Sequence, residues 1–235
     1  MYNRYSWAAD LSAGCDVLEV ACGVGQGVGL MARKAKSVQA GDFSEAMVDR
    51  ARSHYGERFK FSQFDAQEMP YSNDSFDVIV IHEAMYYISD AERFVAEACR
   101  VLRPGGRVLL TNSNKDLFDF NPSPFSTTYH GVTDLKELFE NFAFTTQFWG
   151  SQPVKNMGLR EKITRPLKLF AVKFGLMPKT MRGKQLLKRV IFSKPVIMPS
   201  EILPESSIRE KLVPLDSSSP CKSHKIIYCC ATLSI

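Results

Sequence analysis

The stretch Asp16-Val-Leu-Glu-Val-Ala-Cys-Gly-Val-Gly-Gln-Gly27 decides the fold. Its first half is a short apolar run suited to a buried parallel strand, and it runs straight into closely spaced glycines. Such a turn lets the backbone approach a ligand where a Cβ would collide. Reading outward, Gly27 to Ala35 continues as a helix and Ser37-Val-Gln-Ala-Gly-Asp42 is a second strand. Ser44 caps a helix that sets Met47, Val48 and Ala51 on one face. Phe59 to Asp65 alternates as a third strand, and Phe76-Asp-Val-Ile-Val-Ile-His82 is a fourth with a β-branched centre. An amphipathic helix over Asp90 to Leu102 stops at Arg103-Pro-Gly-Gly106, and Arg107 to Thr111 is a fifth strand. Thr133 caps a helix to Phe142, Phe144 to Trp149 is a sixth strand, and Lys225 to Leu233 is the last.

Strands alternating with helices at this spacing predict a doubly wound, mostly parallel α/β sheet of seven strands. The predicted organisation is a Rossmann-like core over 1–152, a basic helical insertion over 153–215, and the last core strand over 216–235. In such a sheet, ligands bind at the carboxyl ends of the strands.

The chain has 235 residues, 45% hydrophobic and 23% charged, which excludes wholesale disorder. Neither a secretory signal nor an apolar run long enough to span a bilayer is visible, so the expected location is the cytoplasm. The six cysteines are scattered without a C-x-x-C pair and read as reduced thiols, and no metal site is expected. The net charge of +5 hides an asymmetry. Residues 153–200 carry twelve Lys or Arg against Glu161 alone, a segment of +11 on a body of −6. A basic block of this kind faces an anionic partner or a solvated surface.

The residues at the strand ends narrow the ligand. Glu19 stands just before the glycine turn, Asp42 ends the second strand, and Asp65-Ala66 ends the third. The strict dinucleotide pattern G-x-G-x-x-G fails at its third glycine, and no G-x-x-x-x-G-K-[ST] phosphate loop exists. Pyrophosphate favours uncharged N–H donors, whereas an acid before the turn suits a cationic amine. Three acids at successive strand tips fit a sulfonium nucleoside with an α-amine and a ribose diol.

Five segments carry a family resemblance: Val17 to Gly25, Gly41-Asp-Phe-Ser-Glu-Ala-Met47, Asp65-Ala-Gln-Glu-Met-Pro70, Asp74-Ser-Phe-Asp77 and Arg100-Val-Leu-Arg-Pro-Gly-Gly106. In this order they resemble the motifs of class I S-adenosylmethionine-dependent methyltransferases, over about residues 4–150. The resemblance implies S-adenosylmethionine as cofactor and S-adenosylhomocysteine as product. It implies that Glu19, Ala21, Gly23 and Gly25 line the methionine and ribose side, and that Asp42 holds the ribose hydroxyls. Phe43 would pack on the adenine, Asp65 and Ala66 would bind its edge, and His82 would border the methyl group. Asp77 and the Arg100 to Gly106 segment read as architecture rather than ligand contacts.

The Arg4-Tyr5 opening, Thr111-Asn-Ser-Asn114 and Asn121 to His130 are similar to a subgroup found with surface-polysaccharide and glycan biosynthesis. That subgroup carries a Glu-His pair after the fourth strand, where this chain has Tyr86-Tyr87. The catalytic candidates are therefore His82 as base or cofactor contact, His130 as a second base, and Tyr86 as an orienting hydroxyl. His54 and His224 read as surface residues without a role. The expected acceptor is a small or sugar-like molecule methylated on oxygen, with a small amine as the alternative. Other rivals are a nicotinamide-dependent oxidoreductase and a non-catalytic module that binds an anionic surface. The basic segment reads as a lid over an anionic acceptor, as an interfacial helix on anionic lipid, or as a solvated face. No RNA-binding module is recognisable, so nucleic acid is not the expected partner.

Overall fold

The computed structural model describes residues 1–154, 199–203 and 209–234. The elements are α1 (Tyr2–Leu11), β1 (Asp16–Val20), α2 (Val28–Met31), β2 (Ser37–Asp42), α3 (Glu45–Tyr55), β3 (Lys60–Gln63) and β4 (Phe76–His82). There follow α4 (Ala91–Val101), β5 (Leu102–Ser113), α5 (Val132–Glu140), β6 (Phe144–Pro153), β7 (Val213–Pro214) and β8 (His224–Leu233). They form one sheet in the order β3-β2-β1-β4-β5-β8-β6-β7. The first five strands pair in parallel, while β8 runs antiparallel between β5 and β6. The strand order reverses between β1 and β4, which places the ligand crevice beyond their carboxyl ends.

Side-chain alternation builds two apolar layers. Leu18, Val20, Ile79, Ile81, Val108 and Leu110 face one side, packed with Phe94 and Ala98 of α4 and Leu135 and Phe139 of α5. Val17, Val78, Val80 and Leu109 face the other, with Trp7 of α1, Met31 of α2 and Val48 of α3. Each fully buried aliphatic side chain here contributes roughly 1.5–3 kcal/mol. The period-2 pattern turns Glu19, between Leu18 and Val20, toward the layer that holds α1.

At the amino ends of the strands, Asp77 accepts the Asp16 N–H at 2.7 Å and the Arg103 guanidinium at 2.8 Å. Arg103 also reaches Asp16 at 3.0 Å and donates to the carbonyls of Asp74 and Ser75. This network clips the starts of β1, β4 and β5 together, at the opposite end of the strands from the glycine turn.

Several elements differ from expectation. The sheet has eight strands because Val213 and Pro214 add a two-residue edge to β6. The strand β5 starts at Leu102 because Leu102 already pairs with Phe76 across an irregularity in β4. The helix α5 starts at Val132, where Asp134 accepts the Gly131 N–H at 2.7 Å. The helix α1 was not foreseen. His224 is buried, not on the surface, because the Ser223 hydroxyl meets its Nδ1 at 2.9 Å and Gly150 leaves room for the ring.

All six cysteines are free. Most of the basic segment, 155–198, lies outside the described residues, and so do its predicted helices and its proposed lid or lipid contacts. Within the segment assigned to the insertion, Ile202 is buried and its N–H donates to Gln26 at 2.8 Å. No helix among the described residues is long and apolar enough to cross a membrane.

Candidate functional site

The chain leaves β1 through three left-handed residues, Ala21 at φ 52°, Gly23 at 58° and Gly25 at 73°. The alanine is the costly one, since a non-glycine residue in this region stores backbone strain at the start of the turn. The two glycines have different reasons to be glycine. A Cβ on Gly25 would lie 2.8 Å from the Phe61 ring, so that position serves packing. A Cβ on Gly23 would meet nothing within 4 Å, so it faces open space beside the strand tips. Backbone without a side chain lets a ligand approach closely at this position.

Asp42, at the end of β2, closes over this turn. Its Oδ2 accepts the Gly23 N–H at 2.8 Å and its Oδ1 accepts the Ser44 N–H at 2.9 Å. Both oxygens retain lone pairs for hydroxyl donors. Phe43 follows with 73% of its surface exposed, so it belongs to no core and presents a free ring beside Asp42. One strand further, Asp65 accepts from the backbone and side-chain nitrogens of Gln67 at 2.8–3.1 Å. This local turn fixes the Asp65 carboxylate beside Ala66.

Glu19 is 1% exposed, and the hydroxyl of Tyr5 on α1 donates to its Oε1 at 2.6 Å. Its Oε2 is buried with no hydrogen-bond partner among the described residues. Burial raises the carboxyl pKa to about 8, the Asp42 charge adds to the rise, and the Tyr5 hydrogen bond opposes it. The unpaired Oε2 is the group at this corner that a ligand's ammonium donor would satisfy.

His82 ends β4 beside this corner. Its Nδ1 lies 3.0 Å from the Thr111 hydroxyl, and its ring meets the Tyr5 ring edge-on at 4.8 Å. Its Nε2 is buried without a partner among the described residues. Burial lowers the imidazole pKa to about 3, with Arg4 adding to the fall, so the ring is neutral at ordinary pH. An imidazole this weakly basic hydrogen-bonds readily but takes a hydroxyl proton poorly.

The remaining candidates separate into two groups. Tyr86 joins Glu83, to which its hydroxyl donates at 3.1 Å. His130 lies at the start of α5 in the electrostatic reach of Asp134 and Lys115, and its Nδ1 has no partner among the described residues. Glu19, Asp42, Gly23 and His82 thus share one corner through Tyr5 and the glycine turn, with Asp65 one strand away. A separate hollow of about 350 Å³ between α1 and α2, lined by Tyr2, Ser6, Leu30, Arg33, Lys34 and Arg209, contains none of these residues. Sequence reasoning overlooked Glu83 entirely. The one available signal was an acid placed directly after a predicted strand end.

Comparison with known proteins follows the same corner. The model of a methyltransferase domain matches residues 18–110, which run from β1 into β5. A protein of Mycolicibacterium smegmatis named "Probable S-adenosylmethionine-dependent methyltransferase" is 35% identical over 147 residues, 61% of this chain and 57% of that protein. The 27-O-demethylrifamycin SV methyltransferase of Amycolatopsis mediterranei is 34% identical over 114 residues, 46% of this chain and 42% of that protein. The chain therefore spans about half the length of these relatives. The crystal structure of the YcgJ protein from Bacillus subtilis superposes with a TM-score of 0.64 at 16% identity, covering 100% of both chains, a likeness of fold.

Proposed function

We propose that the chain, whose residues 18–110 match a methyltransferase domain, is a class I S-adenosylmethionine-dependent methyltransferase that transfers a methyl group to an oxygen of a small-molecule acceptor. The observation that carries this reading is the open space at Gly23, whose N–H donates to Asp42 at 2.8 Å, together with the buried, unpaired Glu19 Oε2. These residues fit the cofactor. Glu19 would take its α-amine, Asp42 its ribose hydroxyls, and Phe43 one face of its adenine, whose edge would meet Asp65 and Ala66. When bound, the cofactor would supply a methyl on a sulfonium: the acceptor oxygen would give the pair for the new C–O bond, the C–S pair would stay on sulfur, and the acceptor proton would leave to water.

The protein's share of the work is placement. Holding the acceptor in line is worth up to about 7–11 kcal/mol. Neutral His82 suits a hydrogen bond at this corner better than proton abstraction, and Tyr86 orients the acceptor. His130 stands as a second candidate near α5. An oxygen acceptor is supported by the relative named for 27-O-demethylrifamycin SV. The core over 1–152 and the last strand over 216–235 would form the cofactor-binding unit.

The test uses the charge state of Glu19. Its raised pKa, about 8, means the free protein holds a proton there at pH 6.5. Pairing with a cationic amine stabilises the carboxylate, lowers that pKa, and so expels the proton on binding. Calorimetry of S-adenosylhomocysteine in buffers of different ionisation enthalpy should show about one proton released at pH 6.5. Affinity should rise about tenfold per pH unit toward pH 8 and then level off. In Glu19→Gln the release should vanish. Undiminished affinity in a folded Glu19→Gln protein would contradict the assignment of the amine to Glu19.

A further inference from the structure

The ends of β4 and β5 carry a second polar cluster, centred on Glu83, apart from the groups assigned above to the cofactor. Glu83 adopts φ 52°, a left-handed conformation that a glutamate takes only when its surroundings impose it. Its N–H donates to the Thr111 carbonyl at 2.8 Å. Its Oε2 accepts from the hydroxyls of Ser113 at 2.6 Å and Tyr86 at 3.1 Å, and its Oε1 lies 3.0 Å from the Arg4 guanidinium. Three separate segments therefore converge on one carboxylate.

Direction matters in this cluster. Ser113 and Tyr86 each spend their only hydroxyl proton on Glu83, so toward a ligand they present lone pairs alone. A ligand meeting them must be a donor, through a hydroxyl or an amine. Aromatic rings surround the same point. Tyr86 stacks on Tyr129 with centroids 4.5 Å apart, Tyr129 meets Phe120 at 4.7 Å, and Tyr86 meets Tyr87 at 4.7 Å. Thr127 ties the loop to this turn by bonding the carbonyls of Tyr86 and Ile88 at 2.8–3.1 Å. Two rings on these tied segments are largely exposed, Tyr87 at 55% and Phe125 at 66%. Exposed rings next to hydroxyls that only accept match a flat ring that carries a hydroxyl donor.

We propose that the ends of β4 and β5 bind a hydroxylated planar acceptor, a phenol or quinol, with its ring against Tyr87 and Phe125 and its hydroxyl on the Glu83-Tyr86-Ser113 cluster. This rests on the methyltransferase reading and replaces the sugar-like acceptor with an aromatic one. It also suits a corner without a strong base, because a phenolic hydroxyl, at about 10, loses its proton far more readily than an aliphatic one.

The full chain saturated with S-adenosylhomocysteine provides the test, with 1-naphthol as the fluorescent probe and methyl α-glucoside as the sugar control. 1-Naphthol should bind and the glucoside should not. Tyr87→Ala should weaken naphthol binding about tenfold, whereas Tyr87→Phe, which keeps the ring, should retain it. Glu83→Gln should weaken naphthol without changing S-adenosylhomocysteine affinity. Should Glu83→Gln fail to fold, the exposed Tyr87 pair decides alone. Absent naphthol binding, equal binding of the glucoside, or indifference to loss of the Tyr87 ring would each overturn the aromatic acceptor while leaving the cofactor assignment standing. Failure of S-adenosylhomocysteine itself to bind would overturn both.

Discussion

Asp42→Ala is expected to weaken S-adenosylhomocysteine binding by at least about a hundredfold, measured by calorimetry. The carboxylate would accept two ribose hydroxyls, and hydrogen bonds to a charged acceptor are worth about 1.5–3 kcal/mol each. It also holds the Gly23 and Ser44 N–H groups, so its loss loosens the glycine turn. Asp42→Asn separates the two effects. It keeps an acceptor for one backbone N–H and loses the charge, so it should lie between wild type and alanine. A folded Asp42→Ala protein with undiminished affinity would remove the ribose from this position.

Gly23→Val should also abolish measurable binding, for a different reason. The side chain would fill the open space at Gly23, and a β-branched residue at φ 58° adds about 1–3 kcal/mol of strain. The variant should still fold, with a melting temperature a few degrees lower, because no protein atom stands where the new Cβ would go. At Gly25 the balance reverses. An alanine there presses on Phe61 at 2.8 Å, so stability falls before binding does. Thermal melts and calorimetry on the two variants tell these roles apart. A well-folded Gly23→Val that binds S-adenosylhomocysteine as wild type does would mean that no ligand occupies that space.

The part of this site that lies at strand tips was legible in the sequence, because strand ends are marked by local signals. An apolar run, a glycine turn and an acid at each tip put Glu19, Asp42 and Asp65 on one edge from local sequence alone. What escaped the sequence depends on contacts between distant segments. The helix α1 has no clear apolar stripe over Tyr2–Leu11, and its importance comes from Tyr5 reaching Glu19 fourteen residues away. The role of Glu83 comes from Arg4, Tyr86 and Ser113 meeting it in space. The weak basicity of His82 is likewise a product of burial, which the isolated strand sequence does not record. The edge strand at 213–214 is too short to leave any periodicity. His224 read as a surface residue because it stands in a polar stretch, Lys222-Ser223-His224-Lys225, and its contact with the Ser223 hydroxyl is made only in the fold.

Side-by-side calorimetric titration of the wild-type chain with S-adenosylhomocysteine and with reduced nicotinamide adenine dinucleotide addresses the core of the account most directly. Saturable one-to-one binding of the thioether nucleoside, with no heat from the dinucleotide, is the expected result. Saturable binding of the dinucleotide and none of the thioether nucleoside would contradict it.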